Sequence, residues 1–129
     1  MQTTTITRKK ALENLAAARF LRDRLWCDSS ASRSYYSALQ ISAAFLLHHQ
    51  QLPPRIKRSH HIVRTRFREL LNKKYPKHLK LADDLRTLES YRDDADYNEN
   101  KCLSPKESQR CYELSSGFLN TILQLDQTL

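Results

Sequence analysis

Apolar residues recur every three to four positions along most of the chain, the period of helices that bury one face. The first such segment runs from about Thr7 to Trp26, with Ala11, Leu15, Ala18, Leu21 and Leu25 on one stripe. Asp28 or Ser29 is suited to cap a second helix that continues to about His49. Its face of Ala31, Tyr35, Ala38, Leu39, Ser42 and Leu46 is widened by Ile41, Ala44 and Phe45. A helix apolar around so much of its circumference belongs in the middle of a bundle. Leu52-Pro53-Pro54 ends it, because consecutive prolines cannot continue the hydrogen-bonded ladder. Ser59 is placed to cap a third helix bearing Val63, Phe67, Leu70 and Leu71, and Pro76 separates that from a fourth, Lys77 to Tyr97. The fifth opens on Ser104-Pro105-Lys106-Glu107, a capping box with proline at the first helical position. Its stripe is Cys111, Leu114, Phe118, Ile122 and Leu125, and Gly117 inside it marks either close helix packing or a tolerated glycine.

Composition supports an all-α reading. A chain of 129 residues, 40% of them hydrophobic, fits one domain, 1–129, around one core. One glycine and four prolines leave too few turn formers for a sandwich or barrel of short strands. Three cysteines, Cys27, Cys102 and Cys111, without a Cys-x-x-Cys spacing, point to reduced thiols in a cytoplasmic protein. Arg8-Lys9-Lys10 leads into a segment broken by Glu13, Asn14, Arg19 and Arg22, unlike a signal peptide. The most apolar stretch, Ala38 to Leu47, is too short for a membrane span. No helical i, i+4 ligand pair suggests a metal, and nothing calls for a cofactor.

The net charge of +8 is unevenly spread. Ten of the 22 Lys and Arg residues lie between Arg55 and Lys80 with Glu69 as the one acid, whereas Asp83 to Glu99 holds seven acids against Arg86 and Arg92. This predicts one basic surface and one acidic surface. The basic one is either a solvated face or a phosphate-binding track.

The fourth helix carries the anomaly. Its stripe reads Leu81, Leu85, Leu88, Arg92, Ala95, so an arginine stands where a leucine is expected. A guanidinium there must snorkel, pair or face a partner. Asp96, one turn on, can brace it from the same face.

Three motifs resemble one family. Arg33-Ser34-Tyr35-Tyr36-Ser37-Ala38, Ser59-His60-His61 and Arg92-Asp93-Asp94-Ala95-Asp96-Tyr97 are similar, in order and separation, to patterns of HEPN-domain proteins. The likeness is greatest to their small stand-alone bacterial and archaeal members and extends from about Lys9 to Leu125. It implies an up-and-down helical bundle that forms a homodimer through the helices bearing the arginine motif. It also implies a role beside RNA or nucleotides, as metal-independent ribonuclease or as the toxin-like half of a toxin–antitoxin or defence module with a minimal nucleotidyltransferase. In active nucleases of that family a histidine follows the arginine after four to six residues. Histidine suits proton transfer near neutral pH, and arginine offers a planar fork to phosphorane oxygens. Here the permitted positions hold Tyr97, Asn98 and Glu99. Tyrosine, with a pKa of about 10, is a poor base at neutral pH but can bond phosphate or stack on a base. The resemblance therefore implies phosphate binding by Arg92, with Tyr97 and Asn98 beside it, more readily than cleavage.

The remaining candidates have competing readings. His60 and His61 are helix-start residues, or one of them, with His61 the candidate singled out, is a stand-in proton carrier if the third helix borders Arg92. His48 and His49 suit a helix C-terminus. Tyr35 falls on the core stripe, while Arg33 and Tyr36 share a face directed toward the fourth helix, where an Arg33 pair with Asp93 or Asp96 is the structural reading. Arg64 and Arg68 are either solvated or form an RNA-backbone track with Arg55, Lys57 and Arg58. A non-catalytic adaptor, docking a protein partner through the basic third or acidic fourth helix, is the alternative function.

Overall fold

The computed structural model describes residues 2–52 and 59–129. Its helices are α1 (Gln2–Asp23), α2 (Cys27–His48), α3 (His60–Lys74), α4 (Lys80–Tyr97) and α5 (Pro105–Leu125), with a 3-10 turn at Pro76–His78 before α4. No strand occurs among the described residues. The fold is the all-α bundle expected, with α2 at its centre, packed on α1, α3, α4 and α5. Tyr35, Phe45, Phe67, Phe118, Leu71, Leu85 and Leu88 fill the core.

Small polar residues bring α1 and α2 together. Ser30 and Ser37 are fully buried and donate to the carbonyls of Ala18 and Ala11, each at 2.7 Å. Ser115 of α5 does the same to the carbonyl of Ser34 at 2.7 Å. Alanine and serine keep the helix surfaces flat, and each of these three hydroxyls finds an acceptor that the helix ladder leaves with a spare lone pair. Buried Ser34 Oγ and Ser108 Oγ, by contrast, have no partner among the described residues. Hydrophobic periodicity does not register these serines.

The helix ends depart most from the apolar pattern. The first helix stops at Asp23, and Leu25 and Trp26 lie off the buried stripe, 67% and 61% exposed. Leu25 takes a left-handed conformation (φ 61°), with Trp26 N–H bonded to Leu21 O at 3.0 Å and Leu25 N–H to Arg22 O at 2.9 Å. This is the paired C-terminal bonding usually built on glycine. Gln50 (φ 58°) ends α2 in the same way, before the prolines are reached. Neither Asp28 nor Ser29 caps α2, which begins at Cys27 behind Trp26 with no side-chain cap. The Asp28 carboxylate instead accepts the Leu103 N–H at 2.9 Å, tying the start of α2 to the α4–α5 connection. Ser59 caps α3 by accepting Ile62 N–H at 3.1 Å, and the Ser104–Glu107 capping box forms in both directions at 3.1 Å.

Gly117 does not mark close packing. It is exposed, with no atom within 4 Å of where a Cβ would stand, so it is a tolerated glycine. Cys27 and Cys111 are buried, Cys102 is exposed and all three are free; burial pushes the Cys111 thiol up to about 12. Among the described residues no helix is long and apolar enough to cross a membrane.

Candidate functional site

Arg92 reaches the surface near the C-terminal end of α4, where that helix lies against the N-terminal half of α2. Leu81, Leu85 and Leu88 are buried as their spacing requires, and the Arg92 side chain continues their line with 14% of its surface exposed. Its Nε donates to Asp96 Oδ2 at 3.0 Å, so the predicted i, i+4 brace is present. Nη2 donates to the hydroxyls of Tyr36 at 2.6 Å and Tyr97 at 3.1 Å, and Nη1 lies 3.5 Å from Asp93 Oδ1. The rings of Tyr35, Tyr36 and Tyr97 surround the guanidinium, with centroids 5.7, 5.3 and 5.0 Å from its carbon. Ser32 Oγ donates to the same Asp96 oxygen at 3.0 Å and fixes the brace from α2. Burial pulls the Arg92 pKa down, but Tyr36, Tyr97 and Asp96 outweigh it and hold the group above its ordinary value. It is permanently cationic.

The partners differ from those expected in several places. Arg33 turns to α1, donating to Asn14 Oδ1 at 2.9 Å, and makes no pair with Asp93 or Asp96; Ser32 occupies that role. The histidine at the cluster is His60. Its ring stands edge-on to Tyr36 at a centroid distance of 5.6 Å, and Nδ1 lies 3.4 Å from the Tyr35 hydroxyl. His61 is exposed and lines an open groove of about 670 Å³ between α3 and α4, with Arg64, Arg68, Arg86 and Glu89. Asn98 is spent on ending α4, donating from Nδ2 to Asp94 Oδ1 at 3.2 Å.

The basic and acidic stretches read from the sequence meet at two ion pairs. Arg64 of α3 pairs with Glu89 of α4, and Arg68 with Asp83 at 2.7 Å. At these two positions charge that is segregated along the chain is paired in space, because α3 and α4 pack side by side. Arg55, Lys57 and Arg58 lie outside the described residues. His48 and His49 bring Nε2 to 3.0 and 3.3 Å from Asp126 Oδ2, at the end of α5. Among the described residues no group of three or more His, Cys, Asp or Glu is arranged to hold a metal ion.

Tyr35 is the residue whose chemistry periodicity conceals. It is fully buried, as a core position should be, yet its hydroxyl accepts from Arg64 Nη1 at 3.1 Å beside His60. Burial pushes its pKa up to about 12 against the pull of Arg64, so it keeps its proton. Burial also lowers the His60 pKa, reinforced by Arg92 and Arg64 and opposed by Glu89. The cluster therefore joins two tyrosines at the surface, exposed Tyr97 and half-buried Tyr36, to a neutral imidazole and a fixed guanidinium. Such a set can donate several hydrogen bonds to one oxyanion.

No curated protein sequence matches the chain. The family description HEPN domain matches it over residues 5–125, which includes all three motifs and the whole Arg92 cluster. The chain belongs to the HEPN-domain family.

Proposed function

We propose that the Arg92 cluster binds phosphate of RNA or a nucleotide, in a cleft formed by two copies of the chain. In this reading the protein acts as the toxin-like member of a toxin–antitoxin or defence module. The observation that carries it is the pairing of Arg92 Nη2 with both tyrosine hydroxyls, Tyr36 at 2.6 Å and Tyr97 at 3.1 Å. A phenol oxygen that accepts from a guanidinium has its own proton left to donate. Tyr97, 67% exposed, can turn that donor or its ring face to a ligand. The motif positions after Arg92 hold no histidine, so binding rather than cleavage is proposed. If cleavage occurs, it is metal-independent, with the RNA 2′-hydroxyl as nucleophile.

One observation favours the adaptor reading. Arg92, Arg64 and Arg68 all have carboxylate partners within the chain, while Asp93 and Glu99 are exposed at the end of α4. An acidic helix end of that kind suits a basic segment of a protein partner, such as a minimal nucleotidyltransferase. Fluorescence anisotropy with a labelled single-stranded RNA separates the two readings. Phosphate binding predicts saturable binding that Arg92→Ala weakens at least about tenfold, the worth of one charge-assisted hydrogen bond. Absence of RNA binding, with a stable complex formed by the neighbouring gene's product, would support the adaptor.

A further inference from the structure

We infer that His60 serves the Arg92 site as a neutral hydrogen-bond donor to a phosphate oxygen, its proton fixed on Nε2 by the Tyr35 hydroxyl bonded to Nδ1. The inference rests on the phosphate-binding reading above and names a residue that the arginine motif does not contain.

The Tyr35 phenol proton has one place to go. The hydroxyl is buried, and its two polar neighbours among the described residues are Arg64 Nη1 at 3.1 Å and His60 Nδ1 at 3.4 Å. A guanidinium has donors and no acceptor, so Arg64 occupies a lone pair of the phenol oxygen and leaves its hydrogen unclaimed. Nδ1 is the remaining acceptor. An imidazole that accepts on Nδ1 carries its own hydrogen on Nε2 while it is neutral. Arg64 is in turn held by Glu89, so the order Glu89, Arg64, Tyr35, His60 fixes the tautomer from the far end.

The charged and titratable groups around the ring keep it neutral. Tyr35 and Tyr36 face it from α2, Arg64 from its own helix, and Arg92 and Glu89 from α4. Two guanidinium groups oppose a second proton, and the one carboxylate is already paired with Arg64. Protonating Nδ1 would also break the bond from Tyr35. No hydrogen bond to Nε2 occurs among the described residues. His60 and Arg92 flank the same tyrosine, since Tyr36 meets the imidazole edge-on and accepts from Arg92 at 2.6 Å. An oxyanion seated beside Tyr36 would have one donor in Arg92 and, in this proposal, a second in His60. His60 in this state gives a hydrogen bond and takes no proton, which separates the proposal from a proton-shuttle role.

Two measurements test it. In ¹⁵N-labelled protein at pH 7.5, long-range ¹H–¹⁵N correlation spectra should show His60 as the neutral Nε2–H tautomer. Tyr35→Phe should release it to a tautomer mixture with a higher pKa. An Nδ1–H tautomer, or an imidazolium at that pH, overturns the proposal whether or not any ligand binds. With a fluorescein-labelled single-stranded RNA, His60→Ala should weaken binding about tenfold. His60→Gln, whose amide carries an N–H near the Nε2 position, should recover part of that loss. Tight wild-type binding unchanged by His60→Ala sinks the role of His60 and leaves the Arg92 reading standing. Absence of wild-type binding sinks both.

Discussion

Tyr35 and Tyr36 are neighbours on α2, each hydroxyl accepts from an arginine, and the two arginines stand in different surroundings. Arg64 serves a fully buried phenol and is itself held by Glu89, so its donors are committed to joining α2, α3 and α4. Arg92 serves a half-buried phenol at the bundle surface beside exposed Tyr97 and exposed Asp93. The same pair of residue types is a fold-holding tie at one position and a ligand-facing cluster at the other. Burial of the acceptor decides which. An arginine bonded to a buried oxygen cannot be reassigned to a ligand without leaving a polar atom unsatisfied, whereas one bonded to hydroxyls that water reaches can be.

The largest effect that should separate the two is that of Tyr35→Ala. Thermal or urea unfolding should show a loss of about 3 to 5 kcal/mol, as for other buried aromatic truncations, with Arg64 and His60 left without their shared partner. Arg64→Ala should cost about 1 to 3 kcal/mol by leaving the Tyr35 oxygen and Glu89 unpaired. Arg92→Ala should cost about 1 kcal/mol or less, since water can replace it at Tyr36, Tyr97 and Asp96. Comparable losses for the two arginines would erase the difference between them. A smaller change of opposite sign serves as a control far from both tyrosines. Gly117→Ala should raise stability by about 0.5 to 1 kcal/mol, because the backbone is helical and the site has room for the methyl group.

The pH dependence has a definite sign. His60 and His49 are held neutral in the fold, with pKa values below their ordinary one, so the unfolded chain binds more protons as pH falls below about 6.5. Stability should be fully present above that pH and decline as it drops toward the folded values. Urea midpoints between pH 7.5 and 5.5 should show the decline, and His60→Gln should flatten it in part. A midpoint that rises on acidification would contradict the lowered values.

The helices, their order and the central place of α2 are legible in the sequence because apolar spacing reports burial directly. Arg92 is legible for the same reason, as a break in a stripe of leucines, and its Asp96 brace follows from helix geometry. What stays hidden depends on pairs of helices rather than on one. Tyr35 looks like packing because its ring is packing; only the approach of α3 reveals that its hydroxyl is in use. His60 stands one turn before Val63 on the buried stripe of α3 and His61 does not, so periodicity does separate them; only the approach of α2 shows what the His60 ring meets. Charge is the least legible feature, since sequence blocks of opposite sign say nothing about whether their helices meet. Leu25 and Gln50 carry no residue-type signal for a left-handed conformation, so periodicity alone does not place either helix end.

Whether Arg92 contacts phosphate is decided most directly by salt titration of RNA binding. Anisotropy of a labelled single-stranded RNA, recorded over a range of salt for wild type and Arg92→Ala, gives the slope of log affinity against log salt. If Arg92 neutralises phosphate, the substitution weakens binding and reduces the magnitude of that slope by about 0.7 for each phosphate it had neutralised. An Arg92→Ala variant that keeps the wild-type affinity and slope would contradict phosphate binding by Arg92.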